Sequence, residues 1–116
     1  MEQRLIMDVD ILREMNFFKN NKKFIVESQL DFVKDLIDRY KLKTRCRKRE
    51  YIYNRYVVFN YLKSYQVPLE MIGSLFEMNH TTVVNGLKVY NDLTATKDYT
   101  FHLLTAEISS ELNKIR

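Results

Sequence analysis

Asn79, His80, Thr81 and Thr82 set an amide, an imidazole and two hydroxyls side by side, directly before the apolar Val83 and Val84. So many adjacent small polar side chains do not suit a core. They do suit the start of a helix, because an Asn there caps the first turn by accepting a backbone N–H. The residues after such a cap stand exposed, and each could bond a base edge. An amide can pair with adenine through both of its polar atoms, and a threonine can hydrogen-bond a base or lay its methyl against that of thymine. An imidazole donates or accepts according to its tautomer, and the free N–H groups of a first helical turn attract phosphate. Alone, the stretch reads equally as a plain helix cap with solvated hydroxyls.

Charge supplies the second signal. Between Arg39 and Lys63 lie nine basic residues (Arg39, Lys41, Lys43, Arg45, Arg47, Lys48, Arg49, Arg55 and Lys63) opposed only by Glu50, a net +8, while the rest of the chain carries a net −4. A basic segment on an otherwise acidic chain is the electrostatic footprint of a phosphate-binding surface. Each Lys or Arg on a phosphate strengthens binding and makes it salt-sensitive, and an arginine can also enter a narrow minor groove.

Other chemistries find little support. His80 and His102 are the only histidines, and neither has metal-ligand spacing around it. Cys46 lies among Lys43, Arg45, Arg47, Lys48 and Arg49, but no His or acid motif accompanies it. No enzyme, metal, cofactor or small-molecule substrate is therefore expected. A lone cysteine excludes an internal disulfide, the N-terminal stretch is charged throughout, and the apolar runs are far too short to span a bilayer. The expectation is a soluble cytoplasmic protein.

The elements that must position these residues are helical. The chain has 116 residues, enough for one domain, and its 46% hydrophobic and 13% aromatic content suits a packed core. Two glycines and one proline argue against an all-β chain. The pattern predicts five or six helices. A weak stripe (Leu5, Val9, Leu12) covers residues 3–18. Leu30, Val33, Ile37 and Tyr40 mark a helix over 24–40. Residues 41–50 show no apolar face and read as an exposed basic loop. Val58, Tyr61, Leu62 and Tyr65 mark a helix over 54–65, with Asn54 as its cap. Pro68 opens a short helix over 68–76, and Gly73 within it suggests close approach of another backbone. Asn79 caps a helix over 80–92 with Val83, Leu87 and Tyr90 inward, and Gly86 permits close packing. Phe101, Leu104, Ile108 and Leu112 mark a last helix over 98–115. A short helix, a three-residue turn and a second helix with exposed polar residues at its start are the parts of a helix-turn-helix.

These residues resemble a known family. The segment from Cys46 to Leu93 is similar to the C-terminal DNA-binding domain of the bacterial replication initiator DnaA. It shares a basic loop, Arg55 opening a helix with Tyr61 and Leu62, an I-G-x-x-F at Ile72, Gly73 and Phe76, and an H-T-T-V at His80 to Val83. The resemblance covers about 48 of the 116 residues. It implies an all-α fold related to that of the Trp repressor. It further implies that His80 and Thr81 reach base edges, with Thr82 on bases or backbone. Arg47 matches the minor-groove arginine best, with Arg45 and Arg49 as alternatives, and Arg55, Lys63 and Lys88 would hold phosphates, with Lys48 in the same basic loop. Asn79 stands where the family has a base-reading Asp, Met78 where it has Arg, and Glu77 adds a negative charge nearby. No G-x-x-x-x-G-K-[ST] loop occurs in the 116 residues, so the expectation is the DNA-binding domain without the family's ATPase module.

The expectation is thus a small all-α bundle. Residues 1–40 form an N-terminal helical extension, which could pack on the same core or pair two copies, and residues 41–116 form a helix-turn-helix domain that binds double-stranded DNA. Replication initiation or its regulation, in a phage or mobile element, fits that organisation. The rival is a protein-interaction module that binds a host replication protein, anchored by Tyr51, Tyr53, Tyr56, Tyr61 and Tyr65; a small transcriptional regulator is the further alternative.

Overall fold

The computed structural model describes residues 24–114. The helix expected over residues 3–18, and any pairing of copies through it, lies outside them. The described chain is all-helical: α1 (Glu27–Arg39), α2 (Arg49–Ser64), α3 (Leu69–Leu75), α4 (His80–Ala95) and α5 (Tyr99–Asn113). No strand occurs among the described residues.

Helix α2 is the axis of the bundle, and α3, α4 and α5 all pack against it. It buries Asn54, Val57, Val58, Phe59 and Leu62. These positions spread over an arc of about 200°, wider than a single stripe, as expected of an element packed against several neighbours. The helix begins at Arg49, ahead of the expected start at Asn54. Asn54 is therefore no cap; it is 9% exposed within the helix, and its Oδ1 has no hydrogen-bond partner. Helix α1 joins the same core through Val33, Leu36 and Ile37. Its start is tied by Gln29, whose Oε1 accepts the Val26 N–H at 3.1 Å while its Nε2 donates to the Tyr61 hydroxyl at 3.0 Å. Helix α5 closes the bundle with Phe101, set edge-on to Tyr53 of α2 and Tyr90 of α4.

Helix ends are made in one repeated way. Lys41, Gln66, Glu77 and Lys97 come directly after the C-caps of α1 to α4, and all have φ between 54° and 67°. After each, a backbone N–H reaches back to the third-last helical carbonyl: Leu42 to Ile37 (2.9 Å), Val67 to Leu62 (3.1 Å), Met78 to Gly73 (2.8 Å) and Asp98 to Leu93 (3.0 Å). This is the Schellman termination, usually built on glycine because only glycine enters the left-handed region without strain. Here four longer residues adopt it. Burial of the next residue compensates at two of the turns, since Leu42 and Val67 plug the core.

The two glycines serve packing. A Cβ on Gly73 would lie 2.6 Å from the Met78 carbonyl oxygen, so only glycine lets the turn after α3 fold back over it. The close backbone expected at Gly73 is thus the chain's own turn. A Cβ on Gly86 would lie 2.8 Å from the Phe59 ring and 2.9 Å from Tyr56, so α4 rests directly on the α2 aromatics. Phe59 in turn meets Phe76, edge-on at 4.8 Å, at the end of α3. These contacts fix α3, the turn at 76–79 and α4 as one unit against α2.

Candidate nucleic-acid interface

Asn79 caps α4 as expected: its Oδ1 accepts the Thr81 N–H at 2.8 Å. His80, Thr81 and Thr82 occupy the first turn, and they and Asn79 are exposed. Val83 is wholly buried, Val84 half-buried, and Gly86, Leu87 and Tyr90 continue the inward face. The helix runs on to Ala95. Its outward face carries Thr81, Asn85 and Lys88, spaced i, i+4, i+7, all exposed. Asn85 was not singled out by the sequence, because an isolated mid-helix Asn carries no motif. It stands out only once the inward face is known.

The capping bond changes what Asn79 can offer. Pairing an amide with adenine uses its oxygen as acceptor and its amino group as donor. The Asn79 Oδ1 already accepts one bond at its own helix start, which fixes the orientation in which its second lone pair and its amino group can meet a ligand.

The loop between α1 and α2 lies beside this helix start. Lys43 and Arg45 line one cleft with Glu77, Met78, Asn79 and Thr82, of about 270 Å³. Lys43 Nζ is 3.5 Å from Glu77 Oε2 across it, so part of the positive charge near α4 is already countered. Thr82 also borders a second depression of about 260 Å³, with Asn85 and Val89 of α4 and Ile52 and Arg55 of α2.

The loop differs from a plain solvated arm. Leu42 is fully buried, and Arg55 holds the residues beyond it. The Arg55 guanidinium donates to the Leu42 carbonyl (2.7 Å), to the Thr44 carbonyl and to the Cys46 carbonyl (3.4 Å). Its partial burial lowers its pKa from the ordinary guanidinium range, with Tyr56 and Cys46 opposing the effect. Arg55, expected on phosphate, thus commits its Nε and one terminal nitrogen to the loop and acts as its clamp. Arg45, Arg47 and Lys48 remain exposed on the loop, while Arg49 is exposed in the first turn of α2. Lys63 is exposed in the last turn of α2, about 12 Å along the axis from Arg55 by helical rise. It borders neither of the clefts at α4. Lys88 is exposed two turns beyond His80 on α4.

The tyrosines of α2 are largely occupied. Tyr53, Tyr56 and Tyr61 pack against the core, and Tyr61 lies against Tyr65 with ring centres 4.9 Å apart. Burial raises the Tyr56 pKa, aided by Tyr53 and opposed by Arg55, so its hydroxyl stays neutral well above neutral pH. No group of three or more metal-ligating side chains occurs among the described residues, and none of the described helices is long and apolar enough to cross a membrane.

Comparison with known proteins adds no identity: no family model, no curated protein and no solved structure matches the chain.

Proposed function

We propose that this chain binds double-stranded DNA in a sequence-dependent way, with α3, the turn and α4 acting as a helix-turn-helix. In this reading α4 enters the major groove by its N-terminal turn and presents His80, Thr81 and Thr82 to base edges. Asn79 holds that turn in shape and offers its amino group. The loop from Tyr40 to Lys48 lies along the backbone, with Arg45, Arg47 and Lys48 on phosphates or in the minor groove beside it, and Arg49 and Lys88 on flanking phosphates. Arg55 positions the loop from within. The observation that carries the reading is the shared cleft, in which Lys43 and Arg45 stand beside Asn79 and Thr82. Cations and short polar readers on one surface are what backbone attachment and base readout require together.

The likeness of Ile72, Gly73, Phe76 and the His80–Val83 run to the DnaA C-terminal domain supports a role in replication initiation or its regulation. Asn79 and Met78 depart from the family pattern at the reading turn, so the chosen site should differ from the family's.

Selection from random duplexes tests the proposal. The wild-type chain should enrich a defined site, and the spacing of any repeated half-sites reports whether two copies bind together. His80→Ala and Thr81→Ala should keep low-salt affinity for bulk duplex while the enriched site loses definition at one or two base pairs. Variants that enrich the wild-type site unchanged would remove α4 from the role of reader.

A further inference from the structure

Resting on that reading, we propose that Asn85, one turn into α4, is the residue that reads adenine. Asn85 is exposed, and its amide makes no hydrogen bond among the described residues. It lies four residues after Thr81 and three after Thr82, which puts all three on one helical face. Both atoms of its amide are thus available for the N7 and N6 edge of adenine, the pairing that an amide makes best in a major groove. Asn79 is the more obvious candidate by position, but its Oδ1 holds the Thr81 N–H at 2.8 Å. The cap thus restricts how its amide can turn toward a base, whereas the Asn85 amide carries no such restraint.

The surroundings of Asn85 suit the rest of an A·T step. Val89, 37% exposed, lies one turn farther on, and Ile52 of α2 borders the same depression of about 260 Å³. An apolar wall beside the amide is where a thymine methyl would pack, which a C·G pair does not offer. Thr82 borders that depression as well, so neighbouring base pairs fall to Thr82 and Asn85 in turn.

The test compares the duplexes enriched by wild type, Asn85→Ala and Asn79→Ser. Serine keeps a capping oxygen, so Asn79→Ser leaves the turn in place. Asn85→Ala should lose roughly tenfold of its preference at one A·T pair. Preference elsewhere and low-salt affinity for bulk duplex should stay as in wild type, and the thermal melt should not fall, since the side chain is exposed and unbonded and alanine is the better helix former. Asn79→Ser removes the amino group that Asn79 offers to the duplex and should still retain this A·T preference. If Asn85→Ala keeps every preference of wild type, or if Asn79→Ser is the variant that loses the A·T pair, the assignment is wrong. A wild-type chain that enriches no duplex at all overturns the DNA reading itself, and this assignment with it.

Discussion

Glu77 concentrates the tension of the site in one residue. It sits in the left-handed region at φ 58°, where a side chain costs about 1 kcal/mol relative to glycine. Its carboxylate also faces the surface where phosphate would lie, and Lys43 answers it only in part. The two effects separate by substitution. Glu77→Gly should raise stability by about 1 kcal/mol, read from the denaturation midpoint. It should also tighten duplex binding several-fold at low salt. Glu77→Gln should tighten binding to a similar degree without the gain in stability. Equal midpoints for wild type and Glu77→Gly would contradict the strain assigned to this turn. Gly73, four residues earlier, shows the opposite case: there glycine is required by the Met78 carbonyl and not by its own dihedral angles.

Among the elements, those with explicit punctuation were legible in the sequence. Pro68, Gly73 and Asn79 mark the short helix, the turn and the cap, and α3 and α4 begin where those residues say. Helix α2 was harder to delimit. The expected stripe began only at Val58, so Tyr51, Ile52 and Tyr53 fell between the expected loop and the expected helix, and Asn54 looked like a cap. The helix ends carry no glycine signal, because Lys41, Gln66, Glu77 and Lys97 take the left-handed turns. The basic loop was legible as an exposed loop, but what anchors it was not. Leu42 is its single apolar residue and gives no periodicity, and the capture of three carbonyls by Arg55 joins residues 9 to 13 positions apart. That clamp can be tested at the level of the loop. Arg55→Ala should speed amide exchange from Lys43 to Lys48 and weaken duplex binding. Binding should fall by more than one charge explains, because the neighbouring cations lose their placement. Arg55→Lys should behave like Arg55→Ala in exchange, since a single ammonium cannot span the same carbonyls. Unchanged exchange in both variants would return Arg55 to the pool of phosphate ligands.

For the molecule as a whole, charge and architecture meet in the cleft where Lys43 and Arg45 stand beside Asn79 and Thr82. The net +8 between Arg39 and Lys63 is only partly free for a ligand: Arg55 is turned inward, and Arg39 pairs with Asp35 at 2.8 Å. Arg45, Arg47, Lys48, Arg49 and Lys88 remain exposed and outside the described ion pairs. About four or five phosphate contacts is then a reasonable load, and counterion release converts that into a salt slope of roughly −4 for log affinity against log salt. The most direct measurement is a titration of purified protein against a random-sequence duplex across a range of salt concentrations. Duplex binding through this surface should be firm at low salt and weaken along that steep slope. Background affinity at low salt, or affinity indifferent to salt, would contradict DNA binding by these cations.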